Sequence, residues 1–165
     1  MGAKAIVKLF YTYEDLTNDL VSLCRQMAIA DYKPEVIIGP GRGGFLPGVM
    51  LSHYYNVPFR GFNWQTRDGE FEDKHTLLHV LEKYGHSNIL LIDDINDTGK
   101  TLTAIENVIL DYAISEVVDI QLKYATLFSK TTSEFNDVDF YVRELTPDND
   151  PWVVFPYENW WESSN

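Results

Sequence analysis

The stretch from Asn88 to Leu102, NILLIDDINDTGKTL, constrains this chain more than any other. Four apolar residues, Ile89 to Ile92, run without interruption into two adjacent carboxylates, Asp93 and Asp94, and a third, Asp97, follows. Thr98-Gly99-Lys100-Thr101 comes next, and Leu102, Ile105, Ile109 and Tyr112 then recur at helical spacing. A short apolar run without polar alternation reads as a strand covered on both faces, the habit of parallel sheets. We therefore expect a buried strand over 88–93, a turn, and an amphipathic helix packed back on the sheet.

The same alternation recurs along the chain. Ala5 to Tyr11 reads as a strand, and Thr12 can cap a helix whose apolar stripe is Leu16, Leu20, Leu23, Met27 and Ala30. Val36-Ile37-Ile38 is a short buried strand, followed by a glycine-rich turn and a helix over 45–55 with Pro47 in its first turn. Further strands are expected over 59–64, 117–128, 138–143 and 152–155, and a helix over 76–84 ends at Gly85. Gln65 to Lys74 is polar, holds a glycine and reads as a loop long enough to act as a lid. Strands alternating with helices imply an α/β fold, a mostly parallel twisted sheet flanked by helices. In such sheets ligands bind beyond the carboxyl ends of the strands, here the loops after Ile38 and Ile92.

Composition narrows the function. A length of 165 residues suits a single domain over 1–165. The net charge is 13 − 25 = −12, and no Lys/Arg cluster is present. Nucleic-acid affinity rests on clustered cations against phosphates, so nucleic acid is not an expected partner. No apolar run approaches the roughly 20 residues that span a bilayer, so no membrane is expected either. The first residues lack a signal-peptide core, and Ile6 stands where a myristoylation motif needs Ser or Thr. The lone Cys24 has no internal disulfide partner and is expected buried. Both features point to the cytoplasm. Concentrated carboxylates suit a hard cation such as Mg²⁺.

Each part of 93–101 has a chemical use. Unpaired N–H groups at a helix start, with the positive dipole end, bind phosphate. Gly99 lets the backbone approach a ligand closely, Thr98 and Thr101 add hydroxyls, and the acids can hold a diol or a cation. The Thr-Gly-Lys-Thr run also suggests a nucleotide-hydrolase loop, but Asp94 occupies the position where that motif requires glycine. Upstream, Gly39 to Gly44 (GPGRGG) satisfies a dinucleotide fingerprint, yet the next strand carries no acid at its end. Arg42 within that turn suits pyrophosphate, which it can grip with two hydrogen bonds.

The 89–102 segment closely resembles the phosphoribosyl pyrophosphate (PRPP) signature of type I phosphoribosyltransferases, and Asp directly before Thr-Gly resembles the 6-oxopurine branch. Val36 to Pro47 is similar to that family's pyrophosphate loop. Phe128-Ser129-Lys130 and Asp150 to Glu158 are similar to the purine pocket of its bacterial xanthine-guanine members. The resemblance implies that fold, with a small hood made by the terminal segments. It implies that Arg42, Gly43 and Gly44 bind pyrophosphate, that Asp93 and Asp94 hold the ribose hydroxyls and Mg²⁺, and that Asp97, Thr98, Gly99, Lys100 and Thr101 cradle the 5-phosphate. Asp97 would also be the general base or acceptor at purine N7, and Lys74 the lid's basic residue. Lys130 would read the base O6, Trp152 would stack on the purine, and the backbone at Val153 would meet its C2 side. The partners implied are PRPP, a purine base and further copies of the chain in a dimer or tetramer. Tyr157-Glu158 departs from the family's Trp-Asp, and Asn96 stands where relatives often carry an apolar residue. A different acceptor base, or a PRPP-sensing regulator of the same fold, are the alternatives.

Overall fold

A computed structural model describes residues 6–65 and 71–161. Twelve elements follow one another among them. They are β1 (Lys8–Phe10), α1 (Tyr13–Ile29), β2 (Val36–Gly41), α2 (Phe45–Tyr55), β3 (Phe59–Gln65) and β4 (Phe71–Glu72), then α3 (Lys74–Tyr84), β5 (Ile89–Asn96), α4 (Lys100–Glu116), β6 (Leu122–Lys130), β7 (Phe140–Leu145) and β8 (Trp152–Val154). Six strands form one sheet in the order β4-β3-β2-β5-β6-β7. Five are parallel, and β4 closes one edge antiparallel to β3.

The apolar runs explain the centre. Val36, Ile37, Ile38 and Ile89 to Ile92 are all fully buried, because helices cover both faces of the sheet. One layer packs Leu16, Leu23, Met27 and Leu51 against Ile37, Leu90 and Ile92. The other packs Leu77, Leu81, Leu102 and Ile105 against Ile38, Ile89 and Leu91. At the start of α1 the Thr12 hydroxyl accepts from the Asp15 N–H while Asp15 accepts from the Thr12 N–H, a reciprocal cap. Cys24 is buried as expected, whereas Ala30 is exposed as the C-cap of α1.

The order places the site. From β2 the chain moves outward to β3 and β4, then returns through α3 to β5 on the other side of β2. The connections diverge between β2 and β5, and that divergence opens a crevice at their carboxyl ends. Apart from the main sheet, β1 and β8 pair in parallel as a two-stranded hood drawn from both ends of the chain.

Three expectations need correction. β5 does not stop at Asp93 but continues to Asn96, because β6 pairs with it through Asn96↔Ser129. β6 begins at Leu122, not Val117, because α4 runs on to Glu116 and Val117 is its left-handed C-cap. The polar stretch 65–74 is not all loop: β3 takes Gln65, Phe71–Glu72 pairs back on it, and Asp73 caps α3, which starts at Lys74. Residues 66–70, the middle of the expected lid, lie outside the described residues.

Val117 holds φ 55° with its side chain 90% exposed. A β-branched residue in that region is strained, and glycine is not. Val117→Gly is therefore expected to stabilise the protein by about 0.5–1 kcal/mol. A urea midpoint that stays put or falls would contradict this.

Candidate active site at the β2–β5 crevice

The glycines of the β2–α2 turn are dictated by how closely it approaches β5. A Cβ on Gly44 would sit 2.4 Å from the Ile92 carbonyl oxygen, and one on Gly43 would sit 2.4 Å from the Asp94 carboxyl carbon. The turn thus lies directly on the acid pair. Arg42, exposed, stands at its head after a cis Gly41–Arg42 peptide.

Asp93 is buried and Asp94 half-buried, and the Asp94 N–H donates to Asp93 Oδ1 at 2.9 Å. Burial, then the neighbouring Asp94 charge, pushes Asp93 well above the usual carboxylate range. Burial also pushes Asp94 up to about 6, against the opposing pull of a hydrogen bond donated by the Tyr157 hydroxyl. Two such carboxylates cost the unliganded fold stability. Asp93→Asn keeps the shape and is expected to raise stability at pH 7 by roughly 1–3 kcal/mol. A carboxyl whose folded pKa exceeds its unfolded one stabilises below the unfolded value and loses that contribution as pH rises. The gain should therefore vanish near pH 4, and thermal melts at pH 4 and 7 check both halves.

Beyond the pair, Gly99 adopts φ 86° as the N-cap of α4, and the Lys100 N–H donates to Thr98 Oγ1 at 3.4 Å. The Thr98 carbonyl accepts from the Glu134 N–H at 3.0 Å. Asn96, 2% exposed, is bonded to Ser129 of β6 and to Ser133 and Phe135 in the segment that follows it.

Lys130 ends β6, and its ammonium lies 2.8 Å from Asp97 Oδ1 and 2.8 Å from Asp150 Oδ1. Burial alone would depress its pKa, but the hydrogen bonds to Asp150 and Asp97 outweigh it and hold the ammonium charged. Two residues beyond Asp150, Trp152 is 53% exposed while Val153 is buried. The Trp152 N–H donates to Val7 and the Val154 carbonyl accepts from Tyr11, so strand alternation turns the Val153 backbone groups away from β1.

The crevice therefore brings together Arg42, Gly43, Gly44, Asp93 and Asp94, and the turn 97–101 continues from the same strand. Lys130 joins it through Asp97, and the segment bearing Trp152 and Val153 joins through Asp150 and Tyr157. Lys74 is ion-paired with Glu72 at 3.0 Å, on the side of the sheet edge β4. Asp150, Tyr157 and Asn96 received no role from the sequence. Two lie in the segment that resembles the purine pocket, and the unusual polar Asn96 was the only signal for the third. No cluster of three or more His, Cys, Asp or Glu suited to a metal ion occurs among the described residues, and no helix among them is long and apolar enough to cross a membrane.

Comparison with known proteins gives the arrangement its relatives. A xanthine-guanine phosphoribosyltransferase of Chromohalobacter salexigens is 24% identical over 155 residues, covering 89% of this chain and 82% of the relative. A purine phosphoribosyltransferase structure from Pyrococcus horikoshii Ot3 superposes with a TM-score of 0.68 at 24% identity, covering 93% of this chain and 95% of the other. The Helicobacter pylori xanthine-guanine-hypoxanthine phosphoribosyltransferase superposes with a TM-score of 0.71 at 23% identity, covering 94% and 96%. The family described as the phosphoribosyl transferase domain matches residues 12–159. That span takes in the glycine turn, the acid pair, Lys130 and the β8 strand of the hood, so the chain belongs to this family and is a phosphoribosyltransferase.

Proposed function

We propose that this enzyme transfers ribose 5-phosphate from PRPP to a 6-oxopurine, releasing pyrophosphate. The observation that carries the reading is Lys130. Its charged ammonium is held between Asp97 and Asp150, at the junction of the phosphate-binding turn and the hood. A fixed donor favours an oxo group over an amino group. The names of the xanthine-guanine and purine relatives support the same substrate class.

In this reading Arg42 and the Gly43-Gly44 turn bind pyrophosphate, and the amides and hydroxyls of 97–101 take the 5-phosphate. Asp93 and Asp94 accept from the ribose hydroxyls. As the C1–O bond to pyrophosphate breaks and the C1–N bond to the base forms, their negative charge favours the cationic sugar. Asp97 accepts the proton or hydrogen bond at purine N7. Trp152 stacks on the base, the Val153 backbone meets its C2 edge, and Lys74 supplies a cation to pyrophosphate. Asp93 and Asp94 offer hard oxygen ligands and would hold Mg²⁺. When bound, the ion neutralises and orients the leaving group.

Lys130→Gln tests the assignment. Gln can present a donor or an acceptor, so the preference for guanine over adenine in kcat/KM is expected to narrow by about tenfold or more. A mutant that keeps the full preference would remove Lys130 from the reading.

A further inference from the structure

Asn96 is buried in the last position of β5, one residue before the 97–101 turn. Its amide nitrogen donates to the Phe135 carbonyl at 2.9 Å and to Ser129 Oγ at 3.2 Å, and its oxygen accepts from Ser133 Oγ at 2.7 Å. Ser133 Oγ in turn accepts from the Phe135 N–H at 3.1 Å. The segment thus held is pressed on the turn itself. The Glu134 N–H donates to the Thr98 carbonyl, and the Phe135 nitrogen lies 2.4 Å from where a Cβ on Gly99 would be. Among the described residues, no bond of this network reaches the Arg42 turn.

We infer that Asn96 is a positioning residue for the phosphate end of the substrate. By pinning residues 133–135, it holds the Thr98-Gly99 backbone in the shape that presents the α4 N-terminus to a phosphate. The inference rests on the reading of 97–101 as the 5-phosphate site. An apolar residue at this position would take the Asn96 donor from the Phe135 carbonyl and the acceptor from the Ser133 O–H, both in a buried place, and the segment would shift to find others. The turn would lose its buttress while the pyrophosphate end kept its own scaffold.

The test separates the two ends of PRPP. Binding of PRPP and of inorganic pyrophosphate, each with Mg²⁺, is measured by calorimetry for the wild type, Asn96→Leu and Ser133→Ala. The expected result is a loss of PRPP affinity of about tenfold for Asn96→Leu and severalfold for Ser133→Ala, with pyrophosphate affinity unchanged. Ser133→Ala is the milder change and decides the matter if Asn96→Leu does not fold. Unchanged PRPP affinity, or equal loss for both ligands, would overturn the inference. A wild type that binds pyrophosphate but not PRPP would overturn the reading of the phosphate site and the inference with it.

Discussion

Asp97→Asn is expected to lower kcat by about 10²–10⁴, the usual cost of removing a general base. Asp97 follows the last residue of β5 and accepts a hydrogen bond from Lys130 at 2.8 Å. Asparagine retains an oxygen for that bond, and Asp150 still holds the other side of the ammonium. The substitution therefore removes charge and basicity while leaving Lys130 supported. The diol contacts proposed for PRPP lie at Asp93 and Asp94, and asparagine keeps the residue 97 backbone amide in the phosphate cradle, so PRPP affinity should hardly change and the loss should fall on kcat. Single-turnover rates alongside PRPP affinity for the wild type and mutant give the answer. A near-normal kcat would assign Asp97 to the shape of the turn and not to the chemistry.

Gly43→Ala is expected to cost PRPP affinity about 10²-fold with a much smaller change in fold stability. The new methyl would fall 2.4 Å from the Asp94 carboxyl carbon and 2.4 Å from its Oδ2. The same Oδ2 accepts from the Tyr157 hydroxyl, whose ring stacks on Phe155 with an interplanar angle of 6°. Asp94 must then give way, and it is the group assigned to the ribose. Gly44→Ala is the contrasting case. Its methyl would meet the Ile92 carbonyl of the central strand at 2.4 Å, so the damage should appear as lost stability. Thermal melts and PRPP titrations on both mutants separate the two. A Gly43→Ala protein that binds PRPP normally would mean the turn does not bear on the acid pair.

The sequence revealed the central strands and their order of chemistry because apolar runs such as Val36 to Ile38 and Ile89 to Ile92 carry a strong local signal. The cap at Thr12 and the boundaries of α2 were equally local. What stayed hidden depends on contacts between distant segments. A pattern of hydrophobicity cannot show that β5 runs past Asp93 to Asn96, since that follows from pairing with β6. Val117 and Val118 read as the start of a strand, yet they close a helix. The Tyr157–Asp94 bond spans 63 positions, and the Lys130–Asp150 pair joins the sheet to a segment before the hood. Resemblance had marked Tyr157-Glu158 only as a departure. The structure gives both residues work, the hydroxyl on Asp94 and the Glu158 carboxylate accepting from the Phe155 N–H at 3.1 Å.

The choice of base is the central claim, and one measurement bears on it most directly. Pyrophosphate release is followed with PRPP and Mg²⁺ against guanine, xanthine, hypoxanthine, adenine, uracil and orotate under matched conditions. The account predicts turnover with one or more of the three 6-oxopurines and a kcat/KM for adenine lower by about 10²-fold or more. Turnover confined to adenine or to a pyrimidine, or release that no base stimulates, would contradict it.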